Sequence, residues 1–163
     1  MPTIGLMKRV AVGAEAGFVG TLALQLLRTG SQRWLPQSMP PIREDPGEYM
    51  VQRVEAALPS SISKRVPTIV ETALAKSLAV GYGLTAGALY AWLRPRGGPL
   101  LRDGSVLGLG VWATGYLGWL LALDLMPPLR QQHRLEVIAP AIRHGLFGIT
   151  TVWAYRWLRE QQS

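Results

Sequence analysis

The sequence predicts an all-α polytopic membrane protein: four transmembrane helices in an up-down bundle, plus a short amphipathic helix in the first loop. Apolar residues gather in four blocks, 10–27, 69–93, 106–123 and 137–157. Each block holds about 18 to 25 residues, the length that crosses roughly 30 Å of hydrocarbon at about 1.5 Å per residue. The third block, "VLGLGVWATGYLGWLLAL", lacks the polar face that a soluble bundle helix would present every three or four residues. Most charges and prolines fall between the blocks, and the 163 residues make a single membrane domain, 1–163.

The first block follows Lys8 and Arg9, as a secretion signal would. It is long, contains Glu15 and lacks a small-x-small cleavage site before Gln32, so it is expected to stay as a span. The loop after it, 29–67, is too long for a mere connector. Within it "REDPGEYMVQRVEAALP" predicts a helix over about 46–58. Asp45 stands at the cap, Pro46 at the first helical position and Glu48 three residues after the cap. Met50, Val54 and Leu58 recur at helical spacing and make its expected apolar face, lying on the membrane surface or on the bundle.

The second and third spans are joined by the short "RPRGGPLLRDG" turn. An up-down path places Lys8, Arg9, Arg94, Arg96, Arg102, Arg156 and Arg159 on one side of the membrane. Arg28, Arg33, Arg43, Arg53, Lys64, Arg65, Arg130, Arg134 and Arg143 fall on the other, over longer loops and mixed with acids. The density of cations close to helix ends favours the first set as the cytoplasmic one, with both termini inside. A net charge of +7 would suggest nucleic acid in a soluble protein. Here the cations flank apolar spans, so the expected partner is the anionic lipid bilayer and not nucleic acid. The chain has no cysteine, which excludes disulfides and thiolate metal sites.

Small residues predict how the helices pack. Gly13, Gly17 and Gly20 share a face of the first span, Gly83 and Gly87 repeat the spacing in the second, and Gly104, Gly108, Gly115 and Gly118 line the third beside Trp112 and Trp119. Glycine lets lipid-embedded helices approach closely enough for packing to replace the missing hydrophobic drive. In "GAEAGFVG", Glu15 lies about 200° from Gly13 and from Gly17, pointing away from that face with Ala11, Phe18 and Leu22. A charged acid facing lipid at mid-helix costs roughly 2.5–3.5 kcal/mol, so this face needs a cover. Lys76, on the face of Gly83 and Gly87, is the expected partner, with depths differing by about 10 Å that a lysine stem and helix tilt would partly close. The alternatives are a protonated Glu15 bonded to a carbonyl, or contact with another subunit, in a homo-oligomer or a larger membrane assembly.

A second polar group is expected at the opposite end, where Glu71, Asp124, Glu136, Arg143 and His144 fall near one membrane surface. A hydrogen-bonded clasp is the preferred reading, over an acid-base or metal site. The last span also carries His144, Gly148, Thr151 and Tyr155 on one face. Neither histidine belongs to a paired metal motif, and no nucleophile elbow or phosphate loop is present. No catalytic, cofactor or metal residue is therefore assigned, and the chain is expected not to be an enzyme.

The segment "DLMPPLRQQHRLEVIAPAIRHGLFGITTVWAYRWLRE" resembles the end of the YagU-like family of small bacterial inner-membrane proteins. The matching features are Pro127, Pro128 and Leu129 after the third span, then Glu136, then His144 in the last span and the aromatic, basic ending. The resemblance covers roughly the last quarter of the chain. It implies an inner-membrane location, no established enzyme activity and a loose tie to envelope or acid stress. Pro140 stands where that pattern leads one to expect a helix-friendly or acidic residue, which weighs against an acidic proton-handling site at that turn. The expected function is that of a non-enzymatic membrane interaction or accessory protein. Its rivals are a small proton or ion transporter using Glu15, Lys76 and His144, and a membrane-embedded enzyme using Asp124, Glu136 and His144.

Overall fold

The structure is a computed structural model that describes residues 5–43, 46–57 and 68–162. All regular structure among them is helical. Helix α1 spans Leu6–Trp34, α2 Pro46–Ala57, α3 Thr68–Leu93, α4 Leu100–Trp112 and α5 Arg134–Glu160. Two stretches are long and apolar enough to cross a membrane, Leu6–Trp34 and Leu100–Ala122.

The third predicted span is not one continuous helix. After α4 the chain runs through a π-helical segment, Ala113–Trp119, into one last α-turn, Leu120–Ala122. Gly118 leaves helical geometry altogether there, at φ −91° and ψ −106°. Thr114 adds to the distortion, since its hydroxyl bonds back to the carbonyls of Gly110 and Val111. A hydroxyl that competes for backbone acceptors within a turn loosens the ladder. Asp124 then ends the path in the left-handed region, at φ 55°.

The long helices alternate in direction. Helix α1 lies between α3 and α5, α4 lies on the far side of α5, and α3 meets α4 only sparsely. Glycines set the first three of these distances. A Cβ on Gly17 or Gly87 would strike the facing backbone of the other helix, and one on Gly13 would strike Gly87 and Ala91. Across the α4–α5 interface, Gly108 abuts the backbone of His144 and Gly145, and Gly104 abuts Ile149 and Gly148. Threonines fill the gaps that remain: Thr21 of α1 sits on Gly83, and Thr151 of α5 sits on Gly20. Both are buried, and each hydroxyl returns its hydrogen bond to a carbonyl of its own helix, Gly17 or Phe147.

Gly115 departs from the expected packing role. A Cβ there would meet only the Trp119 indole nitrogen, at 3.8 Å. Trp112 and Trp119 likewise belong elsewhere: they pack on a cluster of Tyr116, Leu120, Leu125 and Met126 together with Tyr49 of α2. The loop helix falls over 46–57, close to the expected 46–58. Its buried contact is Val51, however, and Met50 is exposed. The side chain of Val54, and Leu58 and the Asp45 cap altogether, lie outside the described residues.

Valine at Gly87 should cost about 1–3 kcal/mol through overpacking against α1, read as a lower thermal midpoint in detergent. Gly115→Ala should be neutral or slightly stabilising in the same measurement, because its Cβ enters open space.

Candidate functional site

Polar side chains gather at both ends of the bundle. At the end formed by the start of α1, the α3–α4 turn and the end of α5, the centre is Asp103 in the first turn of α4. Its side chain is 3% exposed. Arg94 Nε and Arg102 Nε each lie 3.3 Å from its carboxylate, and the Tyr90 hydroxyl donates to Oδ2 at 3.3 Å. A carboxylate at a helix start also meets the positive end of the helix dipole. Gly98 lies against this carboxylate so closely that a Cβ would overlap it, and Gly97 turns the chain at φ 71°, a conformation that suits glycine.

The same turn is tied to α5. Arg159 donates to the Pro95 carbonyl at 3.0 Å, the Tyr155 hydroxyl donates to it at 3.3 Å, and Tyr90 and Tyr155 meet edge to face at 5.5 Å. Sequence reasoning did not single out Asp103. The signal was present: it is the one acid in "RPRGGPLLRDG", among three arginines.

At the opposite end the group expected from the sequence does not assemble. Asp124 pairs with Arg43 at 2.6 Å, and the Arg43 backbone N–H donates to the Leu125 carbonyl at 2.8 Å. Glu136 completes a capping box at the start of α5, accepting from the His133 N–H at 2.7 Å, while His133 Nδ1 accepts from the Leu135 N–H. His144 Nδ1 bonds the Pro140 carbonyl of its own helix at 2.8 Å. The side chain of Glu71 lies outside the described residues. Three of the five groups thus serve separate duties: Glu136 and His144 bond within their own turn of α5, while Asp124 pairs with Arg43 from the distant first loop.

Arg143, the fifth, is only 8% exposed and faces a segment that the sequence reading left as a plain loop. A 3-10 turn, Pro36–Ser38, folds back under α5. Arg143 donates to the Ser38 carbonyl at 2.9 Å and to its hydroxyl at 3.4 Å. Continuing, the chain reaches Arg43 and its contact with Asp124, so residues 35–43 form a strap that joins α1 to α5 and to the end of the third span. Beside it the Tyr116 hydroxyl reaches Gln132 Oε1 at 2.5 Å and the Glu136 carbonyl at 2.7 Å, and Gln132 donates to the Pro127 carbonyl.

Glu15 and Lys76 do not pair. Both are exposed, and the register that sets Gly17 against Gly83 and Gly87 leaves Lys76 about 18 Å farther along the bundle than Glu15. Glu15 and Lys76 are thus open to the outside of the bundle, and Asp124, Glu136 and His144 each bond a different partner instead of converging on one point. Among the described residues no group of histidines and acids is placed to hold a metal. A shallow groove of about 270 Å³ between α4 and α5, lined by Leu109, Trp112, Ile138 and Ile142 among others, is almost wholly apolar.

These features define an all-helical protein with two helices apolar enough to cross a membrane. Compared with protein-family models, with curated proteins and with solved structures, the chain matches none of them.

Asn at position 103 should lower stability by about 2 kcal/mol, since a charge-assisted network at a buried carboxylate is lost. Asp124→Asn should cost under about 1 kcal/mol, because that pair is half or more exposed on both sides. Thermal unfolding of the two variants in one detergent compares them directly.

Proposed function

We propose that this chain is a four-span protein of the bacterial inner membrane that acts as a non-enzymatic interaction or accessory subunit, with both termini in the cytoplasm. The observation that carries the membrane reading is an inside-out distribution of side chains. The contacts between α1, α3 and α5 are made mostly by glycine, alanine, threonine and valine, with Phe147, Tyr90 and Tyr155 as the large side chains among them. Large apolar residues point outward on all four long helices: Phe18 and Leu26, Leu78 and Trp92, Val106 and Leu109, Ile142 and Trp153. A solvent of lipid rewards this arrangement and water penalises it. Trp92, Trp153 and Trp157 lie towards one end of the bundle, where interfacial aromatic residues belong.

Seven cations, Lys8, Arg9, Arg94, Arg96, Arg102, Arg156 and Arg159, are concentrated in short segments at the end carrying the termini, whereas the nine of the other side are spread over longer connections. This asymmetry supports the cytoplasmic assignment. The accessory reading rests on what the polar groups do. Asp103, Arg143 and Asp124 each tie two segments of the chain together and Glu136 caps its own helix, which leaves the outer helix faces as the surface available for interaction. An envelope or acid-stress role has the YagU-like resemblance as its only ground.

Native mass spectrometry of the protein extracted in mild detergent tests the reading; a stoichiometric companion or a homo-oligomer is expected, and a clean monomer would count against it. Orientation is read separately. Because the chain is free of cysteine, Arg96→Cys and Gln131→Cys variants can be exposed to a membrane-impermeant thiol reagent in intact cells. Labelling of Gln131→Cys alone is expected, and labelling of Arg96→Cys alone would reverse the topology.

A further inference from the structure

We propose that the arginines at the end carrying the termini hold one anionic phospholipid, its phosphate seated among Arg9, Arg96, Arg156 and Arg159 and its acyl chains running down past Trp153 and Trp157. The inference rests on the membrane reading and narrows a general attraction to lipid to one site.

Four guanidiniums from three elements meet around the turn between α3 and α4. Arg96 belongs to the turn itself. Arg159 reaches it from α5 and donates to the Pro95 carbonyl at 3.0 Å, where the Tyr155 hydroxyl donates too. The stem of Arg156 lies over Gly97, whose missing Cβ would stand 3.5 Å from Arg156 Cγ. Arg9 comes from the start of α1. Because Gly20 lies on Phe147 and Thr151, the antiparallel register sets Arg9 level with the last turn of α5, where its charge acts on the Tyr155 hydroxyl.

Their charge is unanswered. Asp103 is the carboxylate that meets arginines at this end, and it meets Arg94 and Arg102. Among the described residues none of the other four forms an ion pair. Arg159 has only a neutral carbonyl, and Arg9 Nε is buried with no acceptor. Like charges gathered on one turn repel. An anion placed among them relieves that repulsion and accepts several charge-assisted bonds at once.

What lies beside and below the arginines selects the anion. Trp153 and Trp157, both exposed and stacked at 6.5 Å, stand next to Arg156 on α5. Indoles of this kind sit at the level where lipid headgroups give way to chains. Farther along the same face of α5, Leu146 and Ile142 continue the exposed apolar strip towards the other end of the bundle. Inorganic phosphate would leave that strip uncovered. A phospholipid matches both parts, with phosphate on the guanidiniums and chains along the strip.

Native mass spectrometry of the full chain in mild detergent tests the site, with phosphatidylglycerol, phosphatidylcholine or inorganic phosphate added in turn. One phosphatidylglycerol per chain should be retained. Phosphatidylcholine should be held more weakly, because its choline returns a positive charge to the arginines. The side chains of Arg96 and Arg156 are exposed, so Arg96→Gln and Arg156→Gln should leave the lipid-free thermal midpoint unchanged. Each should weaken retention about fivefold. Arg130→Gln and Arg134→Gln, which remove the same charge from the opposite end, should not weaken it. Trp153→Ala should lower phosphatidylglycerol retention as well. Equal weakening by all four arginine substitutions, or equal retention of the two lipids, would reduce the effect to bulk attraction and overturn the site. Inorganic phosphate held as strongly as phosphatidylglycerol, with no response to Trp153→Ala, would overturn the lipid and put a soluble anion in its place. Release of the unmodified chain from membranes by carbonate would overturn the membrane reading and the site together.

Discussion

Contact between bare backbones is the constraint on which the rest of this protein depends. Helix α1 touches α3 and α5 at once, and it does so where Gly13, Gly17 and Gly20 leave nothing between its main chain and theirs. Three helices held this way have little volume between them for large side chains. Their interior is mostly Val12, Ala16, Ala91, Val152 and Ala154, with Phe147 against Gly20 and with Tyr90 and Tyr155 closing one end. Large apolar residues are pushed outward by the same geometry. Outward-facing leucine and tryptophan and inward-facing glycine are thus two consequences of one packing solution.

Close packing in the middle shifts the polar work to the ends. One end is knotted around Asp103, which draws two arginines and a tyrosine from the α3–α4 turn and the adjoining helices. The other is strapped by residues 35–43, through Arg143 and Asp124. A buried guanidinium needs acceptors, and here they come from a loop carbonyl and hydroxyl in place of a carboxylate. Such ends tie helix to helix without needing a continuous polar interior.

The third span is the exception to the regular plan. It begins as a normal helix clamped to α5 by Gly104 and Gly108, then loosens into a π-helical stretch at the point where glycine contacts stop. Gly115 and Gly118 have no helix pressed on them. Without an interface to hold the ladder, and with Thr114 competing for its carbonyls, the backbone distorts. Insertions of this kind inside a helix concentrate at sites of function or adjustment. Trp112 stacked on Tyr116 at 5.5 Å braces the stretch from one side.

The sequence by itself determined the helical class, the four apolar blocks, the loop helix at Pro46 and several of the glycines at which helices approach closely, Gly13, Gly17, Gly83, Gly87 and Gly108, though not Gly115. Those properties depend on period, length and side-chain size, all of which are local. It also told that Glu15 points away from the glycines, since that is a matter of angle along one helix. Which polar groups meet was decided only by the tertiary structure. Pairing Glu15 with Lys76 required a register between two helices, and the glycines set that register about 18 Å away from such a contact. Arg143 found Ser38 because a loop folded back across a sequence distance that no periodicity encodes. Glu136 and His144 turned to their own backbone because a nearby acceptor or donor outcompetes a distant one once helix ends have to be satisfied.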